Sequence, residues 1–312
     1  MIGKIIYDNR MTVFFIFVIV SLLGYHYLGT KYDFDISFRP KGTDVVQNRP
    51  APSTPVDPHV DQPSVPYNKP AIRSWAYYIK DPQLDKIRNS NFDLVVTDTG
   101  SDTIKRFSRA QIEELKESGS GKRIIAYLSL GAAENYRGYW KSEWNKLRPE
   151  WMREENKLFK GNYRVEDLLH PEWMQISKNL VDDVMNAGFD GMMINGLNSP
   201  QVATYLDKIS AHAKGRNSQF TILVQDYVDP AIADYVDGIV KQNIYYFWGL
   251  NERNNVRSTL EKLRDFINRD KIVLAVSYTT GHRWDKTKYA LKAEGIVPYS
   301  GPRQLDHLRT EQ

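Results

Sequence analysis

The feature that most restricts the fold is an alternation that runs from residue 71 to the C-terminus. Apolar runs of five to eight residues are separated by amphipathic stretches with helical spacing. The runs at 74–79, 93–98, 123–130, 191–195, 221–226, 238–243, 272–278 and 295–299 read as strands. Ser108 caps a helix over 109–118, and His170-Pro171-Glu172 opens one that continues to 187 and stops at Gly188. Further helical patterns cover 199–213, 256–267 and 284–293. Eight strand–helix units over 71–312 predict an α/β fold, a (β/α)8 TIM barrel. An open doubly wound sheet is the alternative, but no glycine-rich phosphate loop follows the first strand to support it.

A barrel of this kind carries its chemistry at the C-terminal strand ends. Those ends offer Tyr78, Asp98, Asn195, Gln225, Asp226, Gln242 and Tyr278, with Glu134 just after the third strand. Asp at a strand end also caps helices and fixes turns, so these acids have a structural reading beside the ligand-binding one. Residues 131–169 make one oversized connection, rich in rings that include Tyr136, Tyr139, Trp140, Trp144, Trp151, Phe159 and Tyr163. Long loops at this face are usually functional. Two or three of the rings, Tyr136 and Tyr163 among them, are candidates to stack on sugars; the others pack the loop onto the rim.

Several classes of chemistry fall away. The chain has no cysteine, which excludes disulfides, thiolate metal sites and cysteine nucleophiles. None of the six histidines is paired at the short spacing of a helical metal site, so no metal or cofactor is expected. A serine-triad motif of the Gly-x-Ser-x-Gly kind is missing. A net charge of +4, without a basic helix, gives no reason to expect nucleic acid.

The front of the chain speaks to location. Lys4 and Arg10 precede an apolar run from Met11 to Gly24, followed by Tyr25-His26-Tyr27-Leu28. Counted to Leu28, the span has roughly the 18 residues needed to cross a bilayer, with tyrosines suited to the interface. Residues 1–29 are therefore expected to be a cytoplasmic N-terminus and transmembrane signal anchor, with the body extracytoplasmic, at the cell surface or in the periplasm. The alternative is a cleaved signal peptide and a secreted body, but no small-x-small cleavage site follows. Residues 30–70 form a Pro-rich linker holding eight of the 15 prolines. Extended as polyproline II, it would hold the body on the order of 100 Å from the membrane.

Specific motifs within the body resemble a known family. Ala126-Tyr127-Leu128-Ser129-Leu130-Gly131 with Ala133-Glu134-Asn135-Tyr136-Arg137-Gly138-Tyr139-Trp140 is similar to the third-strand signature of the endo-α-1,4-polygalactosaminidase type of glycoside hydrolase. Lys160-Gly161-Asn162-Tyr163-Arg164-Val165, Pro171-Glu172-Trp173 and Gly188-Phe189-Asp190-Gly191 resemble it too. So do Tyr235-Val236-Asp237-Gly238-Ile239-Val240, Gly295-Ile296-Val297-Pro298-Tyr299 and Leu305-Asp306. The resemblance covers 74 to the C-terminus in the family's order. It implies a secreted or anchored barrel that cuts α-1,4-linked galactosamine polymers.

Glycoside hydrolysis generally needs two carboxyl groups flanking the scissile bond. The resemblance implies a carboxylate at the end of the fourth strand, where this chain has Asn195, with a further acid in the same loop, where it has Asn198. It implies a glutamate at the end of the sixth strand, where this chain has Gln242, and an acid-Tyr pair on the seventh, here Ser277-Tyr278. It assigns Asp98 and Glu134 to sugar hydroxyls or amines, and puts Asp226 where an amide is more usual. An amide cannot act as a general acid near neutral pH or form a glycosyl ester.

Three readings follow. The first is an impaired hydrolase that binds an amino-sugar polysaccharide of the galactosamine or N-acetylgalactosamine type. The second is a working glycosidase that uses Asp98, Glu134 or Asp226. The third is a non-catalytic scaffold for envelope or exopolysaccharide proteins.

Overall fold

The computed structural model describes residues 71–100, 107–119, 121–245 and 252–309. The expected anchor, 1–29, and linker, 30–70, lie outside the described residues. Among the described residues no helix is long and apolar enough to cross a membrane.

In chain order the strands are β1 (Trp75–Tyr78), β2 (Leu94–Asp98), β3 (Arg123–Ser129), β4 (Ala132–Glu134), β5 (Met152–Glu155) and β6 (Asn162–Val165). They continue with β7 (Gly191–Asn195), β8 (Thr221–Gln225), β9 (Gly238–Gln242), β10 (Ile272–Ser277) and β11 (Val297–Ser300). The helices are α1 (Leu84–Arg88), α2 (Arg109–Glu117), α3 (Pro171–Asn186), α4 (Val202–Arg216), α5 (Glu252–Asn268) and α6 (Gly281–Ala293). Eight strands form one sheet in the order β1-β2-β3-β7-β8-β9-β10-β11, every pair parallel. The indole of Trp75 donates to the Val297 carbonyl across the seam between β1 and β11 (3.0 Å). The architecture is that of a (β/α)8 barrel.

The strands carry apolar residues on both faces because the barrel interior and the helical ring both exclude water. All four residues of β1 and all five of β2 and β8 are buried. Ser108 caps α2 through a reciprocal capping box with Gln111. His170 caps α3, with Pro171 in its first turn.

The recurrent Asp-Gly steps have a structural cause at the N-terminal face. The Asp190 carboxylate accepts from Ile124 N (2.9 Å), and that of Asp237 accepts from Ile222 N (2.8 Å). Each ties the start of one strand to its neighbour. A Cβ at the following glycine would lie 2.2 Å from the Thr221 carbonyl oxygen at Gly191, and equally close to that of Ile272 at Gly238. Only glycine lets the strands meet there.

The structure departs from the sequence expectations in three places. Residues 131–169 are not an irregular loop: β4, β6 and β5 pair as a small antiparallel sheet. These strands are three or four residues long and largely polar, which gave no alternation to read. After β8 the chain makes only a 3-10 turn, Pro230–Ile232, where a barrel unit normally has a helix. The short helix α1, between the first two strands, gave no separate signal in the sequence.

Candidate functional site

The top of the barrel is lined by three tyrosine–carboxamide pairs. Tyr77 on β1 donates to Gln225 Oε1 on β8, across the interior, at 2.9 Å. Asn195 Nδ2 on β7 donates to the Tyr127 hydroxyl on neighbouring β3 at 2.8 Å. Tyr278, just past β10, donates to Gln242 Oε1 on β9. Burial pushes the Tyr127 hydroxyl up to about 12, with the Glu134 charge adding to it. Burial likewise raises Tyr77, with Tyr127, Tyr278, Asp226 and Asp98 adding to the shift. These phenols hold their protons at neutral pH, so the layer is uncharged and offers hydrogen bonds in both directions.

Tyr78, a sequence candidate, belongs elsewhere. Its hydroxyl donates to the Asp81 carbonyl and accepts from Gln83 N, both at 3.1 Å, outside the barrel interior. The neighbouring Tyr77 takes the inner position. Successive strand residues face opposite ways, and β1 is buried on both sides, so burial patterning could not fix its phase. Tyr127 was missed as a mouth residue; its position two residues before Ser129, on the same strand face, was the available signal.

Asp226 is the exposed carboxylate among the acids foreseen at the mouth, with 34% of its side chain accessible. Its Oδ1 receives Lys241 Nζ (2.8 Å) and Gln242 N (3.0 Å), and its Oδ2 receives Gln242 Nε2 (2.8 Å). The backbone holds it in the left-handed region, φ 61°, an uncommon state for aspartate. A recess of about 340 Å³ beside it is lined by Asp226, Tyr227, Asp229, Lys241, Thr259 and Lys262, with Val228 and Ser258. A larger one, about 410 Å³, lies between α3 and the ends of β2 and β3, where Thr99, Gly100, Ser129, Glu134 and Arg137 reach its wall.

Asp98 and Glu134 share one partner. Arg137 meets both Asp98 oxygens at 3.0 Å and gives its Nε to Glu134 Oε2 at 2.7 Å. It also donates to the Gly100 carbonyl at 2.6 Å. All three side chains are at most 8% accessible. The Arg137 guanidinium is held above its usual range because the Asp98 and Glu134 contacts outweigh desolvation. Glu134 Oε1 takes the Tyr136 hydroxyl at 2.6 Å. The two acids are engaged within the protein, and the sugar contacts implied for them would have to compete with Arg137.

The aromatic residues of the insertion pack chiefly on one another. Trp151 lies 5.0 Å from Trp173 and 5.4 Å from Trp144, and Trp144 lies 5.3 Å from Trp140. Tyr163 lies tilted against Trp140, ring centres 4.9 Å apart. Tyr136 is bound to Glu134 and lies 5.4 Å from the Arg137 guanidinium carbon. Trp144 and Trp151 are buried, whereas Tyr136, Trp140 and Tyr163 stay half-buried. Among the described residues no cluster of three His, Cys, Asp or Glu side chains is placed to hold a metal ion.

A parallel eight-stranded barrel presents its functional side chains at the C-terminal strand ends, and here that end is lined by hydroxyls and amides. The chain belongs to glycoside-hydrolase family GH114, whose model matches residues 57–311. It is 28% identical to an uncharacterized protein of Deinococcus radiodurans, over 87% of this chain and 92% of the relative. It is 30% identical to one from Methanocaldococcus jannaschii, over 76% of this chain and 78% of the relative. Among solved structures it resembles the glycoside hydrolase domain of PelA from Pseudomonas aeruginosa, with TM-score 0.59 and 15% identity. That match covers 76% of this chain and 98% of the domain. It also resembles Aspergillus fumigatus Ega3, solved in complex with galactosamine, with TM-score 0.57 and 16% identity, over 78% and 97% of the two chains. At these identities the two structures establish the shared fold.

Proposed function

We propose that this barrel binds a galactosamine-type polysaccharide at its C-terminal mouth and is impaired in cleaving it. The observation that carries the reading is the chemistry of the strand ends. Asn195 and Gln242 end β7 and β9, the fourth and sixth barrel strands, and each is hydrogen-bonded to a tyrosine that keeps its proton at neutral pH. Asp98 and Glu134 are both held by Arg137, whose single charge offsets one of the two, and Asp226 is paired with Lys241. Proton transfer to a leaving oxygen needs a carboxylic acid or an equivalent donor. An amide–phenol layer instead suits sugar hydroxyls and acetamido groups. A cationic polymer gains from unpaired carboxylates in its cleft, so the preferred ligand is N-acetylated or neutral. We place the barrel outside the cytoplasm, anchored by residues 1–29 through the 30–70 tether, on the sequence alone.

The test compares the full chain with an Asn195→Asp/Gln242→Glu variant on galactosamine polymers of graded acetylation, measuring both binding and new reducing ends. The expected result is binding without cleavage by the natural chain, tightening with acetylation. Cleavage by the natural chain would overturn the impaired-enzyme reading and direct attention to Asp226, the exposed acid. Tighter binding to deacetylated polymer would overturn the ligand preference. Failure to bind any glycan, with an envelope protein co-purifying, would favour a scaffold.

A further inference from the structure

Among the described residues, four large apolar side chains stand out in water: Leu147, Leu158, Phe159 and Tyr289, at 80%, 85%, 64% and 78% exposure. Three of them lie on the insertion rooted at the C-terminal end of β3, the same end as the mouth. Each of the three is bracketed by bases, in Lys146-Leu147-Arg148 and in Lys157-Leu158-Phe159-Lys160. Nothing in the fold of a barrel requires this arrangement.

The second sequence is the tip of the β5–β6 hairpin, and the tip is built rather than slack. Asn156 N donates to the Asn162 carbonyl at 2.7 Å, and Asn162 N to the Phe159 carbonyl at 3.2 Å. Asn156 Oδ1 accepts from Leu158 N at 2.9 Å, an Asx turn that fixes the start of the tip. With the tip held by these bonds, Leu158 and Phe159 stand in solvent.

Charge completes the pattern. Among the described residues, Lys146, Arg148, Lys157 and Lys160 make no salt bridge. Two of the neighbouring acids are occupied elsewhere. Glu155 Oε1 accepts from Gly161 N at 2.6 Å, and Glu166 pairs with Arg153 and Arg164. Glu154 is left unengaged on the hairpin. An apolar tip between unpaired lysines matches the interfacial region of an anionic bilayer. There the side chains enter the acyl boundary while the ammonium groups stay at the headgroups.

We propose that the Lys157–Lys160 tip is a membrane-contact site that docks the barrel onto an anionic lipid surface. This inference is independent of the glycan reading. With residues 1–29 as an anchor it supplies a second attachment. The insertion of the barrel would then contact the bilayer through this tip.

The chain has no cysteine, so Leu158→Cys accepts a single environment-sensitive fluorophore. Tyr289→Cys, on α6, is the matched exposed control. Each full-length labelled protein is incorporated into phosphatidylcholine vesicles with and without phosphatidylglycerol, and quenching by spin-labelled lipid is measured. The expected result is a blue shift and quenching at 158 in the anionic vesicles, with neither at 289. Lys157→Glu/Lys160→Glu should weaken the docked state about tenfold or more. A label at 158 that stays as hydrated as that at 289 overturns the proposal. A lipid-independent blue shift that grows with protein concentration overturns it too, and assigns the tip to a second copy of the chain.

Discussion

Arg137 holds both oxygens of Asp98 at 3.0 Å while its Nε reaches Glu134 on its own loop. A carboxylate at the end of β2 is thereby tied to one that follows β3. The arginine fixes the root of the insertion to the barrel and offsets one of the two negative charges it holds.

Removing that guanidinium leaves two buried carboxylates without a counter-charge. Arg137→Met is expected to cost about 3–5 kcal/mol, seen as a large fall in thermal midpoint. Because replacing a whole buried ion cluster by neutral groups is often close to neutral, Asp98→Asn/Glu134→Gln/Arg137→Met should recover most of the loss. If the triple variant is as unstable as the single one, charge burial is not the cause.

Gln242→Glu places a second carboxylate beside Asp226, replacing the amide whose Nε2 now donates to it at 2.8 Å. The new acid should titrate above the usual carboxylate range, because a like charge disfavours its ionisation. A raised folded value means stability is fully present below about pH 4 and is lost as pH rises toward neutrality. Denaturant midpoints across that range should fall relative to the natural chain, and flat midpoints would contradict the pairing.

The tyrosines set an alkaline limit. Burial pushes Tyr127, Tyr245 and Tyr299 each to about 12. Unfolded tyrosine ionises near about 10. Below that pH both states keep their protons; above it the unfolded chain releases them first, so stability declines from about 10 toward 12. A spectrophotometric titration should show exposed tyrosines ionising early and a cooperative late phase that coincides with loss of circular dichroism.

Gly238→Ala should be strongly destabilising, by about 3 kcal/mol or more. Its Cβ would sit 2.2 Å from the Ile272 carbonyl oxygen, a backbone atom in a parallel strand that cannot step aside. Gly215, on α4, meets no atom within 4 Å of its Cβ, so Gly215→Ala should be neutral or stabilising. Thermal midpoints of the pair test the close-approach account.

How legible these features were follows from their physics. The barrel strands were visible because burial on both faces leaves continuous apolar runs, as in Leu94–Asp98. That same burial erased the alternation that would have separated Tyr77 from Tyr78. The strands of the insertion were too short and polar to announce themselves. Asn195, Gln225, Gln242 and Tyr278 could be placed at the mouth because each ends or directly follows a strand. Their tyrosine partners lie on other strands, and sequence carries no trace of a contact such as Tyr77–Gln225, 148 residues apart. Arg137 sits in the Glu134–Trp140 segment after β3, yet its hold on Asp98 depends on that segment folding back to β2.

The Asn195–Gly196 step at the end of β7 also decides how this protein ages. A backbone amide followed by no side chain can close on the preceding carboxamide, expel ammonia and open with water to aspartate or isoaspartate. Gly196, at φ 83°, leaves that approach unobstructed by a side chain of its own, while the bond to Tyr127 holds the carboxamide back. Stored protein should therefore accumulate an acid at this position, detectable as the amide-to-acid mass change in the peptide spanning residue 195. A trace of hydrolysis that grows with the age of a preparation would belong to the altered molecules, not to the chain as translated.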